Sequence, residues 1–344
     1  MRPGSANPAQ HRSWEGCTVN GQLVRTLGLA ALLGAILAAT LGPAAAGPSV
    51  RLSIATGTTG GVYFPLGGGL ASLMSRHIPG VSATAEVTPA SVDNIRLLQA
   101  KRADIAFVLA DTAVDALKGE EAFRGSPVPI MTLAPLYNNF NHLVTVDGTG
   151  INAVADVRGK RVSVGPPGSG TEVTALRILE AAGINHDRDI RKERLSPAAS
   201  ADAIKDKKIE AFFWSGGLPT AAVLDLAVSP GVRIRLLPLD TILAAMQRKW
   251  GNLYFRSVIQ KEFYLGLPAD VPTVGVANLM IVHKDFDAGL AYQITKLLFE
   301  RRPELALVHK EAANITTIGA AGRSPLPFHP GAIRYFKERG VEGF

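Results

Sequence analysis

Cysteine is almost absent from this chain, since Cys17 is the only one among 344 residues. It precedes the apolar segment described below, so everything after that segment lacks disulfides, thiolate nucleophiles and zinc–thiolate sites. The seven histidines are scattered, and none is paired with a second ligand at the spacing of a metal site such as H-E-x-x-H. The sequence therefore predicts neither a metal centre nor a cofactor.

Complete catalytic motifs are lacking as well. Gly165 and Gly170 have the glycine spacing of a Walker A loop, but Thr171 stands at its lysine position and Glu172 at its Ser/Thr position. Without that lysine and hydroxyl, nucleotide hydrolysis loses its main electrostatic parts. The segment around Ser169 also lacks the outer glycines of a G-x-S-x-G nucleophile elbow. These absences predict a protein that is not an enzyme.

The chain also lacks a concentrated patch of one charge. Lys and Arg number 36 against 29 Asp and Glu, giving a formal net charge of +7, and the positive charges are scattered rather than interleaved with aromatics along a stripe. This distribution argues against nucleic acid as a partner and is compatible with attraction of small anions.

One apolar run stands out, from Leu27 to Leu41, with Arg25 before it and the small residues Ala44 to Ala46 after it. About 15 residues fall short of the ~20 needed to span a bilayer, which disfavours the alternative of a membrane anchor. The pattern is typical of a secretory signal peptide covering residues 1–46 and cleaved after Ala46. We therefore expect a product that is free in the periplasm.

Two distant segments have the same plan of an apolar strand, a glycine-rich loop and a helical pattern. The first loop runs from Gly57 to Tyr63 and the second from Gly165 to Thr171. Such loops let backbone N–H groups converge in front of a helix N-terminus, where the helix dipole favours an anion. Each loop alone could be a plain strand-to-helix turn, but two of them suggest a ligand held between two lobes.

Hydrophobic periodicity extends this plan into two α/β halves, each built on a largely parallel sheet. It predicts helices over 66–74, 172–182, 199–206 and 290–301, a further helix capped by Ser91, and strands over 81–88, 105–109 and 162–164. Extended stretches over 133–146 and 272–282 provide two crossings between the halves. We therefore expect a first lobe of residues 47–138 and 276–344 and a second lobe of residues 139–275, with the allocation of 241–270 left open.

Ligands of open α/β sheets bind at loops that follow the carboxyl ends of strands. This rule, with the aromatic residues next to these loops and crossings, selects the candidate ligand-binding residues Thr58, Thr59, Gly60, Gly61, Tyr63, Ser91, Asn94, Asp111, Tyr137, Ser169, Gly170, Thr171, Trp214, Ser215 and Gly216. Helix capping alone is an alternative role for Ser91 and Asp111. Tyr63, Tyr137 and Trp214 could equally be ordinary core aromatics.

Six segments together resemble the TAXI family, the periplasmic solute receptors of TRAP transporters. They are ATGTTGGVYFPLG (55–67), SVDNIRLL (91–98), ADIAF (103–107), VRGKRVSVGPPGSGTEVTA (157–175), IEAFFWSGGLPT (209–220) and PLPFHPGAIRYF (325–336). The likeness extends over residues 50–338. Leu109 and Trp214 depart from the family's usual pattern, which leaves the ligand the least transferable feature.

The resemblance implies a type II-like, two-lobe periplasmic binding protein fold that closes by a hinge over a central ligand cleft. It implies delivery of the ligand to a membrane permease driven by an ion gradient, with small carboxylates such as glutamate-like or oxo-dicarboxylic acids as ligands. The positions that carry over are the loop 58–63, Ser91, Asn94, Asp111 and 169–171. We thus expect a non-catalytic receptor for a small organic anion; the alternatives are a periplasmic sensor that signals through a partner and a secreted enzyme acting on a carboxylate.

Overall fold

A computed structural model describes residues 50–344 of the chain. The predicted signal peptide, residues 1–46, and Cys17 lie outside the described residues. Within residues 50–344, no helix is both long enough and apolar enough to cross a bilayer.

The chain begins with alternating strands and helices. These are β1 (Val50–Ala55), α1 (Tyr63–His77), β2 (Val81–Glu86), α2 (Ser91–Gln99), β3 (Ile105–Leu109) and α3 (Ala110–Lys118). Helix α1 forms where predicted because Leu66, Leu70 and Leu73 recur at helical spacing and are buried on one face. Proline and glycine at 79 and 80 follow it, and Gly80 has a φ of +74°, which only glycine adopts freely.

Two long strands run through the middle of the molecule, β4 (Ile130–Val146) and β10 (Val271–His283). They pair with each other in antiparallel orientation, with a register shift between Ala277 and Leu279. Both coincide with the extended stretches predicted from the sequence, because their near-continuous apolar residues are covered on both faces.

The elements between these two strands are β5 (Arg161–Ser163), α4 (Gly170–Ala181), β6 (Arg191–Glu193), α5 (Pro197–Lys205), β7 (Ala211–Gly216), α6 (Ala221–Ala227), β8 (Ile234–Leu236), α7 (Leu243–Trp250) and β9 (Tyr254–Ile259). After β10 come α8 (Ala288–Glu300), α9 (Arg302–Val308) and α10 (Pro330–Glu338). Short 3₁₀ turns cover Glu121–Phe123, Val154–Val157, Asp240–Ile242, Gly251–Leu253, Lys261–Phe263, Lys310–Asn314 and Ala321–Arg323.

The strands form a single sheet in the order β2-β1-β3-β10-β4-β7-β5-β6, with β8 paired to β4 and β9 to β10. We call β1–β3 with residues 130–137 and 278–283 the first half-sheet, and β5–β9 with residues 140–146 and 271–276 the second half-sheet. Among the strands of residues 50–344, only the pairs β1–β2, β1–β3, β5–β6 and β5–β7 are parallel. The prediction of largely parallel sheets is therefore wrong for the centre, where β4 and β10 make every pair antiparallel.

Helices cover both faces of each half-sheet. In β3, Ile105 and Phe107 point to the core under α1, α8 and α10, whereas Ala106 and Val108 point to the core under α2 and α3. The second half-sheet is enclosed likewise, by α4 and α7 on one face and by α5 and α6 on the other. Because strands and helices alternate along the chain, the amino ends of the helices lie at the ends of the strands. The candidate site forms there.

The segment that the sequence left unallocated, 241–270, packs with the second half-sheet. It contains α7 and β9, and β9 pairs with residues 271–276 of β10. Met246 and Tyr254 are fully buried in the core of that half. Their position depends on pairing with a strand still to come in the chain, which local pattern does not reveal.

Candidate functional site

A small cavity lies where the two half-sheets meet, at the amino ends of several helices. Its empty space, including the open mouth, is about 410 Å³. It is lined by Gly57, Thr58, Gly61, Val62, Tyr63, Pro89, Ala90, Ser91, Leu109, Tyr137, Asn139, Gly170, Thr171, Trp214, Ser215 and Gly216. None of these side chains carries a formal charge.

The cavity brings together residues that are distant in sequence. Ten of the fifteen candidate residues line it: Thr58, Gly61, Tyr63, Ser91, Tyr137, Gly170, Thr171, Trp214, Ser215 and Gly216. Five others do not line it: Thr59, Gly60, Asn94, Asp111 and Ser169. Thr59 is exposed at the loop surface, and Gly60 lies against the start of α5 and α6.

Asn94 supports the wall of the cavity from behind instead of facing a ligand. Its Nδ2 donates to the carbonyls of Thr56 at 2.7 Å and Phe107 at 2.8 Å. Its Oδ1 accepts from the hydroxyl of Thr88 at 2.6 Å. With every polar atom bonded inside the protein, Asn94 fixes the ends of β1 and β3 relative to α2.

Asp111 and Ser169 also bond within the protein. Asp111 Oδ2 accepts from the hydroxyls of Tyr254 at 2.8 Å and Thr174 at 3.0 Å. Ser169 is the N-cap of α4, where its Oγ accepts from the N–H of Glu172 at 3.0 Å. The interpretation of Asp111 as a helix cap is wrong, because α3 begins at Ala110 and Asp111 is its second residue.

Ser91 is not the cap of α2 either, although it lines the cavity. The helix starts at Ser91 itself, and the serine Oγ accepts from the N–H of Leu109 at 3.0 Å. The amino end of α2 is closed by Gly168, whose carbonyl accepts from the N–H groups of Val92 and Asp93, each at 3.1 Å. Loop 165–171 of the second half therefore docks on a helix of the first.

Two helix amino ends reach the cavity, and the Ser169 cap of α4 bonds only the N–H of Glu172. Helix α1 has no side-chain cap, and its first residue, Tyr63, lines the space. Helix α4 places Gly170 and Thr171 there, and their N–H groups donate to no acceptor within the described residues. Because the dipole of each helix is positive at its amino end, the two helices create a favourable position for negative charge without a cationic side chain.

Unpartnered hydroxyls add to these donors. Tyr137 is 1% exposed, yet neither its hydroxyl nor Thr58 Oγ1 has a hydrogen-bond partner among the described residues. Burial, together with the neighbouring Tyr63 and Glu311, raises the pKa of Tyr137 well above its usual value. The phenol therefore stays protonated and able to donate. Since buried polar groups are nearly always paired, these two hydroxyls indicate a position for ligand atoms.

A network of amides holds Tyr63 and Tyr137 in place. Asn278 accepts a hydrogen bond from the Tyr63 hydroxyl, and its Nδ2 donates to the Tyr137 carbonyl at 2.9 Å and to Asn139 Oδ1 at 2.7 Å. Asn278 lies at the register shift between β4 and β10. The irregular point of the sheet thus sets the aromatic wall of the cavity.

Trp214 forms the opposite wall. A Cβ on Gly61 would lie 3.1 Å from the Trp214 ring, so glycine allows the loop 57–63 to rest against the indole. The indole Nε1 donates to Thr220 Oγ1 at 2.9 Å, which fixes the ring orientation. Trp214 therefore lines the cavity and also packs against the core of the second half-sheet.

Sequence reasoning missed six lining residues: Gly57, Val62, Pro89, Ala90, Leu109 and Asn139. Gly57 and Val62 belong to the glycine loop already singled out, and Leu109 ends a predicted strand. Asn139 could have been selected from the sequence, because it is a polar residue inside an apolar stretch. Among residues 50–344, no group of three or more His, Cys, Asp or Glu is placed to hold a metal ion.

A two-lobed α/β fold with a cleft between its halves is that of a periplasmic binding protein. The chain belongs to the NMT1-like family, whose model matches residues 54–340. The match shows the NMT1-like family, and the narrower assignment to the TAXI family stays a prediction.

The fold is also similar to that of solved solute-binding proteins. The alkanesulfonate-binding protein SsuA from Xanthomonas axonopodis pv. citri, bound to MOPS, is 18% identical over 79% of this chain and 86% of its own, with a TM-score of 0.45. The periplasmic aliphatic sulphonate binding protein SsuA from Escherichia coli is 16% identical over 85% and 94%, with a TM-score of 0.44. An ancestral arginine-binding protein bound to arginine is 14% identical over 76% and 97%, with a TM-score of 0.47.

Proposed function

We propose that this chain is the periplasmic receptor of a TRAP-type transporter, of the TAXI kind. It binds a small organic carboxylate, glutamate-like or oxo-dicarboxylic, in the cavity between the lobes and delivers it to the membrane permease. The sequence resemblance over six segments supports the transporter type. The uncharged cavity with two helix amino ends at its wall supports an anionic ligand.

The observation that supports an anionic ligand is the convergence of two helix amino ends, with unpaired N–H groups, from different half-sheets. Helix α1 contributes the N–H groups around Tyr63, and α4 those of Gly170 and Thr171. Tyr137, whose hydroxyl has no partner among the described residues, lines the same cavity. An anion bound there satisfies donors from both halves at once, so it stabilises the closed arrangement of the lobes.

We propose the lobe boundaries expected from the sequence, 47–138 with 276–344 and 139–275. The register shift between Ala277 and Leu279 falls at the crossing and is a suitable place for the strands to bend. Pairing of β9 with residues 271–276 supports placing 241–270 in the second lobe.

The ligand contacts that we propose are the ten candidate residues that line the cavity; Thr59, Gly60, Asn94, Asp111 and Ser169 are assigned supporting positions instead. None of the lining side chains titrates near neutral pH, which supports a receptor over an enzyme. The secretory signal in residues 1–46 remains the argument for the periplasm.

A thermal-shift titration of the full chain tests this proposal. Ligand at about 100 times its dissociation constant adds about 2.7 kcal/mol to the free energy of unfolding, so a matching small dicarboxylate raises the melting temperature. The dimethyl ester of the same acid is the control, because it keeps the shape and loses the charge. If no carboxylate produces a shift, or if ester and acid shift equally, the anion proposal is wrong.

The type of transporter needs a second experiment. Reconstituted uptake that depends on a sodium or proton gradient and proceeds without ATP supports the TRAP assignment. Uptake that requires ATP would instead identify an ABC transporter. A sensor would bind its ligand without supporting uptake through any permease encoded beside it, and an enzyme would return a chemically altered ligand.

A further inference from the structure

Three hydroxyl oxygens at the cavity already accept hydrogen bonds from the protein. Ser91 Oγ accepts from the N–H of Leu109 at 3.0 Å and Thr171 Oγ1 from the N–H of Ser215 at 3.3 Å. Ser215 Oγ accepts from Asn139 Nδ2 at 3.4 Å. A hydroxyl that accepts in this way keeps its own hydrogen to donate. Each of these side chains can therefore donate one hydrogen bond to a ligand.

The remaining polar groups at the cavity also act as hydrogen-bond donors. The N–H groups of Gly170 and Thr171 are pure donors. The amide oxygen of Asn139, which could have accepted from a ligand, already accepts from Asn278 Nδ2 at 2.7 Å. The cavity consequently offers several donors but no anionic acceptor, which matches a ligand whose polar atoms are acceptors.

No carboxylate lines the cavity among the residues that the structure describes. The buried acids nearby are already engaged. Asp111 accepts from Tyr254 and Thr174, and Glu311 accepts from the N–H of Leu218 at 2.5 Å and from Asn314 Nδ2 at 2.7 Å. An ammonium group in the closed cavity would be buried without an anionic partner, which is strongly unfavourable.

We infer that the site selects acids that carry an oxygen, and not an ammonium group, on the carbon beside the carboxylate: 2-oxo or 2-hydroxy acids instead of 2-amino acids. This inference rests on the proposed function and narrows it. The helix amino ends take the carboxylate, and the hydroxyl of Tyr137, with that of Thr58, donates to the oxygen at carbon 2. An amino acid would instead place the three N–H donors of its ammonium group against the hydroxyl donors of the protein.

Calorimetric titration of the full chain with four five-carbon dicarboxylates tests whether the site prefers an oxygen or an ammonium group at carbon 2. The acids are 2-oxoglutarate, 2-hydroxyglutarate, glutarate and L-glutamate, which differ mainly at carbon 2. We expect one of the two oxygen-bearing acids to bind at least tenfold more tightly than glutamate. Equal or tighter binding of glutamate would overturn the inference and leave the anion receptor intact. Absence of binding by all four would instead contradict the carboxylate assignment.

Tyr137→Phe tests the donor assigned to carbon 2. The variant should lose about tenfold or more in affinity for 2-oxoglutarate and bind glutarate, which has no oxygen there, as the wild type does. Because the hydroxyl has no protein partner, the unliganded variant should melt at the same or a higher temperature. Equal losses for both acids would overturn the assignment, and a lower melting temperature would point to a structural role for the hydroxyl.

Discussion

Arg177 and Asp115 form a buried ion pair that joins α4 to α3. The guanidinium Nη2 donates to both carboxylate oxygens of Asp115, at 2.6 and 2.8 Å, and each side chain is less than a tenth exposed. Burial raises the pKa of Asp115 to about 6 even though the guanidinium opposes that rise. The contact links a helix on the first half-sheet to one on the second, close to the ligand cavity.

Removing one partner of this ion pair should therefore destabilise the folded protein. Arg177→Met leaves Asp115 buried without its counter-ion, and we expect the free energy of unfolding in urea to fall by about 3–5 kcal/mol. The double variant Arg177→Met with Asp115→Leu should recover at least half of this loss, because no buried charge remains. The control Lys208→Met, which breaks a surface pair with Asp206, should cause no resolvable change. A double variant as unstable as the single one would contradict this account.

Much of the site could be predicted because its donors are local features. Glycine loops before helices are visible as residue patterns, and both predicted loops contribute to the cavity. Asp111 shows the limit of this reasoning, since its position beside β3 favoured a helix cap. Its actual partner, Tyr254, lies 143 residues away, and no local pattern encodes that pairing.

The pairing of the strands is a second feature that local sequence patterns do not predict. The extended character of β4 and β10 follows from their apolar residues, but their antiparallel pairing depends on which segments become neighbours. Asn139 illustrates the consequence, because its role becomes visible only when Asn278 is placed beside it at the register shift. Long-range register is set by the packing of whole elements, which single residues do not specify.

Gly170 is predicted to be essential for closing the site. A Cβ there would lie 2.5 Å from Ser91 Oγ and 2.7 Å from a methyl carbon of Leu109, so Gly170→Ala should push α4 away from the first half-sheet. We expect at least a tenfold loss of affinity for the tightest carboxylate and a loss of about 1–3 kcal/mol in stability. Calorimetry and urea unfolding measure the two effects.

Gly68→Ala is the matched control for that variant. Gly68 is inside α1, and an added Cβ meets nothing within 4 Å. Alanine there should raise the free energy of unfolding by about 0.5–1 kcal/mol because it restricts the unfolded chain and favours the helix. Its ligand affinity should match that of the wild type. Similar affinity losses in both variants would argue against a specific closing contact at Gly170.

Ala90 is strained at the edge of the cavity. Its φ of +99° and ψ of −139° are values that glycine tolerates and alanine avoids. We expect Ala90→Gly to raise the free energy of unfolding by about 1 kcal/mol. Ala199→Gly, at an exposed helical position in α5, should lower it by about 0.5–1 kcal/mol. If both substitutions destabilise the protein equally, Ala90 is not strained.

His142 should make stability depend on pH. Its side chain is 1% exposed and bonds through Nδ1 to the carbonyl of Phe140 and through Nε2 to the hydroxyl of Tyr264. Burial lowers its pKa to about 4 from an ordinary value of 6.5. Between these two values the unfolded chain binds a proton that the folded protein excludes. This part of the stability is therefore complete above pH 6.5 and is lost as the pH falls towards 4.

The shift corresponds to about 3 kcal/mol in the free energy of unfolding. Urea unfolding from pH 7 to pH 4 should show the wild type losing about that much more stability than His142→Asn, which cannot titrate. The variant should start less stable at pH 7, because Tyr264 loses its partner and the Tyr264 hydroxyl also accepts from the N–H of Thr220 at 3.0 Å. Since Thr220 holds the Trp214 indole, the same substitution should weaken ligand binding at pH 7. Parallel stability curves for the two proteins would mean that folding does not shift the pKa of His142.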